Sequence, residues 1–142
     1  MTVRFEDITV GQALPPYQRH TDLMAWNRYA AVNDEFVELH MDEDAAKARG
    51  EKGVLGMGNI RLAYLHCLLF NWIGDEGTVR RFSIQHRGIN YKNDTLTANG
   101  KVDAKRIENG EYLVDLDLWV ENQRGEQTDI AKATVALPDR GA

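Results

Sequence analysis

Ile60 to Ile73 reads Ile-Arg-Leu-Ala-Tyr-Leu-His-Cys-Leu-Leu-Phe-Asn-Trp-Ile. At a helical pitch this stretch is apolar almost all the way round. A surface helix needs one apolar stripe, whereas one that is apolar on every side has to be covered on most of them. The chain has 142 residues, enough for one domain, 1–142, with one core. In so small a domain, cover on most sides requires a sheet that curls around the helix. The run is also well short of the ~20 residues that span a bilayer.

The second half of the chain supplies such a sheet. Leu96, Ala98, Gly100, Val102 and Ala104 alternate with mostly polar residues. So do Tyr112, Val114, Leu116, Leu118 and Val120, and then Ala131, Ala133, Val135 and Leu137. Alternation of this kind marks half-buried strands. Asn109-Gly110 and Arg124-Gly125 mark the turns between them. Thr78 to Tyr91 alternates through Phe82 and Ile84 and then changes phase at Gly88, which predicts a bulge in a long bent strand. Ahead of the apolar run, Pro15-Pro16 leads into an extended piece, Tyr17 to His20. Thr21 or Asp22 caps a helix through about Val32, with Leu23, Trp26, Tyr29 and Ala30 on one side. A loop carries Asn33 to His40, and Asp42 caps a short helix, Glu43 to Arg49, ended by Gly50. The order is one strand, helices, then four antiparallel strands. The class is α+β, a curved antiparallel sheet wrapped on a long central helix.

Chemistry concentrates between residues 33 and 58. Asp34 and Glu35 lie six and five residues before His40, just past a helix end. A carboxylate and an imidazole together can hold a water and move its protons. Gly53-Val54-Leu55-Gly56-Met57-Gly58 then opens the apolar helix. A glycine there permits close backbone approach and leaves its N–H free for an oxyanion. Asn33 can orient a water or cap the preceding helix. These groups suit the addition of water to a polarised double bond.

Other residues carry blander readings. His66, inside the apolar helix, is a satisfied core or interface histidine, and Asn71 satisfies the last helical turn. His86 sits mid-strand and is given no role. The tryptophans, Trp26, Trp72 and Trp119, fit a core or an interface. Four scattered histidines and one cysteine, Cys67, give no metal-site spacing. A lone cysteine makes no internal disulfide, which suits a reducing, cytoplasmic setting. Met1 to Asp7 has early acid and no apolar stretch, so no signal peptide is expected. A net charge of −5 argues against nucleic acid as a partner. Arg80, Arg81 and Arg87, with Lys92, lie on or near one strand. They form either a solvated face or a clamp for phosphates.

Four segments resemble the MaoC-like dehydratases, the (R)-specific enoyl-CoA hydratase group of the hot-dog fold. Phe5 to Gln12 is similar to the family's opening phrase. Asn33 to Asp42, with Asp44 to Gly50 after it, resembles the hydratase loop and its short helix. Gly53 to Gly58 sits where the family has an Ile-Ala-His-Gly type phrase, and Asn93-Asp94-Thr95-Leu96-Thr97 resembles its Gly-Asp-Thr-Leu turn. The chain differs at three places. Glu35 stands at the acid position, Val37-Glu38 replaces Asn-Pro, and Met57 replaces a frequent histidine.

The resemblance implies a hot-dog fold and an acyl-CoA hydratase or dehydratase acting on a 2-enoyl thioester. It implies Glu35 or Asp34 with His40 as acid and base, and the Gly58 N–H at the thioester oxygen. It implies no cofactor beyond the coenzyme A of the substrate, and a homodimer or a higher assembly of dimers. Two alternatives remain open. One is a non-catalytic acyl-CoA-binding or accessory subunit of a heteromeric hydratase. The other is a hot-dog thioesterase, against which counts the lack of any carboxylate from Asn59 to Ile73.

Overall fold

The computed structural model describes residues 3–141; Met1 and Thr2, the start of the segment expected to lack a signal peptide, lie outside the described residues. In chain order the elements are a 3-10 turn at Phe5–Asp7, β1 (Tyr17–His20), α1 (Leu23–Asn33), α2 (Glu38–Met41), α3 (Glu43–Ala48), α4 (Gly58–Ile73), β2 (Thr78–His86), β3 (Thr95–Glu108), β4 (Glu111–Glu121) and β5 (Gln127–Ala136). The strands form one antiparallel sheet in the order β1-β3-β4-β5-β2.

The alternating residues of β3, β4 and β5 place Leu96, Ala98, Val102, Val114, Leu116, Leu118, Val120, Ala131, Ala133 and Val135 in one buried cluster. Leu65, Leu68, Leu69, Trp72 and Ile73 of α4 fill the same cluster from the other side. Register breaks at Val79/Arg81, Val102/Ala104 and Val120/Glu121 interrupt the ladders. Each extra residue increases local twist, which is how a five-stranded sheet curls over a helix. The tight turn at Asn109-Gly110 has positive φ at both residues, 51° and 79°, as a two-residue hairpin requires.

One expectation needs correction. The phase change at Gly88 falls at the end of β2 and not inside a long strand. β2 ends at His86, and the N–H groups of Arg87 and Gly88 both donate to the Thr128 carbonyl before the chain leaves the sheet. The irregularity inside β2 lies at its other end, between Val79 and Arg81. The cover expected on most sides of α4 leaves one stripe open. Leu62, Ala63, His66 and Cys67 are half-buried, and Asn59, Phe70 and Asn71 are exposed, spaced three and four apart along one stripe. The sheet of one chain reaches around only part of the helix.

A second, smaller cluster covers the first turns of α4. Trp26 of α1, Ala46 of α3, and Val54, Met57 and Ile60 are buried together, and Tyr64 packs against both clusters. Asp22 caps α1 by accepting from the Ala25 N–H, as the sequence predicts, and Asp42 caps α3. This cluster fixes the loop before α4 and with it the surroundings of Gly58.

Candidate active site

The site is built around the start of α4. Val54 to Met57 is a buried approach, with the Gly56 N–H bonded to the Asn90 carbonyl at 2.8 Å and the Leu55 N–H to the Leu39 carbonyl at 3.1 Å. Met57 is the N-cap and offers no side-chain cap. Its side chain is fully buried in the smaller cluster, so where a histidine could have faced the site, a core residue stands instead. Gly58 is the first helical residue. N–H groups of a first turn have no partner within their own helix and carry the positive end of its dipole.

On one flank stands the 33–40 segment. α1 ends at Asn33, and Asp34 caps it in the left-handed conformation, φ 52°, with an exposed side chain. Asp tolerates this region better than most residues. The reversal delivers Glu35 toward α4, where the Asn59 side-chain amide donates to its Oε2 at 3.2 Å. His40 is not in a loop as expected but in the short helix α2. Its Nδ1 lies 2.8 Å from the Leu55 carbonyl oxygen. A carbonyl can only accept, so Nδ1 carries the proton and Nε2 is left with its lone pair. Glu35 is thus tethered to the first turn of α4, and His40 to the segment that leads into it. Burial, and then the Glu35 charge, push the Tyr29 phenol above its ordinary pKa, which places that charge near the end of α1.

Of the two readings of Asn33, the hydrogen bonds match the one that caps the preceding helix. The Asn33 amide donates back to the Tyr29 carbonyl at 3.0 Å, and the residue is exposed. A side chain that bonds back to its own helix is the blander of its two readings. The three arginines do not form one clamp. Arg80 pairs with Glu111, Arg87 donates to Gln85, and Arg81 lines a groove that also holds Asp103, Asp115, Asp117 and Lys132. His66 bonds its own helix through the Leu62 carbonyl at 3.1 Å and lies against Phe82, as a satisfied interior histidine does. Among the described residues, no group of His, Cys, Asp and Glu is placed to hold a metal ion.

The other flank was missed from sequence. His86, at the end of β2, lies against Gly58: a Cβ on Gly58 would sit 3.0 Å from both Cε1 and Nε2 of the ring. Its Nδ1 is 2.5 Å from Oδ1 of Asp129. Asp129 is fully buried and also accepts from Arg61 Nε at 2.7 Å and from the Thr128 hydroxyl at 2.7 Å. Arg61, itself buried, reaches further to Asn90 Oδ1 at 2.8 Å and the Gly88 carbonyl at 3.1 Å. The signal was present: Asp129 shares the inward phase of Ala131, Ala133 and Val135, and Arg61 is the one charged residue of the apolar helix. An inward acid and an inward base on two buried elements have to find each other.

Neither a protein-family model nor a curated protein matches the sequence. Solved structures do match in shape. The unliganded R-hydratase PhaJ1 from Pseudomonas aeruginosa superposes with a TM-score of 0.88 at 19% identity, covering 98% of this chain and 88% of that one. This chain has the hot-dog fold. A MaoC-like dehydratase from Rhodospirillum rubrum gives 0.80 at 22% identity, over 97% and 98% of the two chains. The ChsH1-ChsH2 complex from Mycobacterium tuberculosis gives 0.79 at 22% identity, over 91% and 98%. The architecture implied by the resemblance, a curled antiparallel sheet with a central helix, is the architecture found.

Proposed function

We propose that this chain adds water to a 2-enoyl thioester, or removes it from a 3-hydroxyacyl thioester. The observation that carries the reading is the tethering of Glu35 and His40 to the start of α4. The first hangs on Asn59 and the second on the Leu55 carbonyl, one on each side of Gly58. Fixed placement of reacting groups is worth more than their identity alone. His40 presents a free Nε2 to a water, and Glu35 takes the second contact. Hydroxide meets C3, a proton arrives at C2, and the charge that collects on the thioester oxygen is met by the Gly58 N–H. The steps use no redox chemistry, and coenzyme A enters as part of the substrate. The neighbours' names, R-hydratase and MaoC-like dehydratase, support the same class.

Of the two carboxylates, Glu35 fits the role better, because Asp34 points to solvent as a helix cap. A paired assembly fits the chain as well. The outer edge of β2 has no strand beside it among the described residues, and the open stripe of α4 adds the 55% exposed Phe70. A second copy would cover both. The ChsH1-ChsH2 neighbour is itself a complex of two chains, which keeps an accessory-subunit role as the second reading.

The deciding experiment is incubation with crotonyl-CoA, following the absorbance of the conjugated thioester and free thiol together. Loss of conjugation without thiol is the expected result. Thiol release would make the protein a thioesterase. Silence in both signals would favour the accessory subunit.

A further inference from the structure

We infer that His86 is a second acid–base residue of this site, handling the proton at C2 of the acyl chain while Glu35 and His40 handle the water at C3. The inference rests on the hydratase reading of the α4 start. Three observations support it. The carboxylate of Asp129 can only accept, so the Nδ1 of His86 carries the proton and Nε2 is the basic nitrogen. That nitrogen lies beside Gly58, near where the thioester carbonyl would rest, and C2 is bonded to that carbonyl carbon. The ring keeps 42% of its side-chain surface open although Asp129 behind it has none.

The support behind the imidazole is unusually complete. Asp129 receives Arg61 and Thr128 on Oδ2, which leaves Oδ1 to the His86 ring. Arg61 in turn bonds Asn90 and the Gly88 carbonyl, the segment that follows His86. A buried ion pair of this kind costs desolvation that an apolar pair would avoid. Its geometric product is one imidazole held in one tautomer against one glycine. Gly58 is required for that approach, since a Cβ at 3.0 Å would push the ring away.

In the dehydrating direction Nε2 of neutral His86 takes the C2 proton. The electron pair of that C–H bond becomes the enolate, with its charge on the thioester oxygen at the Gly58 N–H. The enolate collapses to the C2=C3 double bond as the C3–O bond breaks. The leaving hydroxyl departs as water with a proton from protonated Glu35 or His40. Solvent then takes the proton from His86 and returns one to the acid. Hydration is the reverse sequence. Asp129 and Arg61 are positioning residues, since neither touches the substrate.

The test separates the C2 proton from the C3 water. Butyryl-CoA has no hydroxyl to lose, so its C2 hydrogens exchange with deuterium oxide only if a base reaches them. Mass spectrometry should show deuterium uptake with the wild-type protein and with His40→Ala, and uptake at least ~10-fold slower with His86→Gln, which should also lower crotonyl-CoA turnover by ~100-fold. Turnover and exchange in His86→Gln within twofold of wild type would overturn the inference and leave the hydratase reading standing. A wild-type protein that neither hydrates crotonyl-CoA nor exchanges butyryl-CoA would overturn both. Thiol release from butyryl-CoA that is lost in His86→Gln would also overturn it, because the imidazole would then activate water against the thioester. Should His86→Gln misfold, the wild-type imidazole 15N signals of His86 decide: they should move on addition of butyryl-CoA, and unmoved signals reject the contact.

Discussion

The two flanks of the α4 start are built on opposite plans. On the loop flank, Glu35 and His40 come from one stretch of chain, are half-buried, and hang on a single hydrogen bond each. On the sheet flank, His86, Asp129 and Arg61 come from three distant elements, and the acid and the arginine are buried. The loop flank is lightly held, one hydrogen bond to each reacting group. The sheet flank is dense, with every oxygen of its central carboxylate occupied. Stability therefore belongs to one flank and water chemistry to the other, and mutations should separate the two.

The largest effect should come from Arg61→Ala. It leaves Asp129 buried beside Thr128 and His86 without its cation. Removing one partner of a buried pair typically costs ~3–5 kcal/mol. A loss of unfolding free energy of that size, read from urea denaturation, is expected. A loss below ~1 kcal/mol, the scale of an exposed ion pair, would show that the sheet flank is no structural anchor.

His40→Ala should do the reverse. Turnover of crotonyl-CoA should fall by ~100-fold or more, the usual result of deleting a positioned acid–base group. Stability should change by only ~1 kcal/mol, since one hydrogen bond to the Leu55 carbonyl is lost. Glu35→Gln should share the activity loss and Asp34→Asn should not, because only Glu35 is turned to α4. Full turnover in His40→Ala would remove the loop flank from the chemistry.

Tyr64 is packed against both hydrophobic clusters. Burial, with Tyr17 second, pushes its phenol up to about 12. The sign follows: a group whose folded pKa is raised contributes stability that is complete below its unfolded value near ~10 and is lost as pH rises through the folded one. Wild type should therefore lose stability between about pH 10 and 12 more steeply than Tyr64→Phe, as denaturant midpoints at each pH would record. Equal slopes would mean that the phenol is already hydrated in the folded protein.

The same contrast explains what the sequence disclosed. The sheet, the central helix and the two capped helices follow from periodicity and from Asp22 and Asp42, because those signals are local. Glu35, His40 and Gly58 were legible for the same reason: five residues and one helix start hold them. His86, Asp129 and Arg61 are separated by 25 and 43 positions in the order Arg61, His86, Asp129, and only the curl of the sheet brings them together. His86 looked like any strand residue, since strand alternation says which side a ring faces and not what it meets there. The open stripe of α4 was also invisible to periodicity, which records that a helix is apolar but not how far one sheet can reach around it.

The smallest predicted effect tests whether the loop flank is independent of its own scaffold. Asp42 caps α3 through one oxygen that accepts from the N–H groups of Asp44 and Ala45 at 2.9 and 3.0 Å. Asp42→Ala removes that cap, and loss of a cap costs ~1 kcal/mol. α3 carries the buried Ala46, which packs with Trp26 and Met57 beneath the start of α4. Asp42 is also the first residue past α2, the helix that holds His40. If His40 is positioned by its own bond to the Leu55 carbonyl, the thermal midpoint of Asp42→Ala should drop slightly and turnover should stay within about twofold of wild type, less than ~0.5 kcal/mol of barrier. A tenfold loss of turnover at that small cost in stability would mean that α3, and not the bond to Leu55, sets the angle of the His40 ring. The loop flank would then extend through residue 48, and the simple division between a lightly held flank and a dense one would have to be redrawn around the smaller cluster.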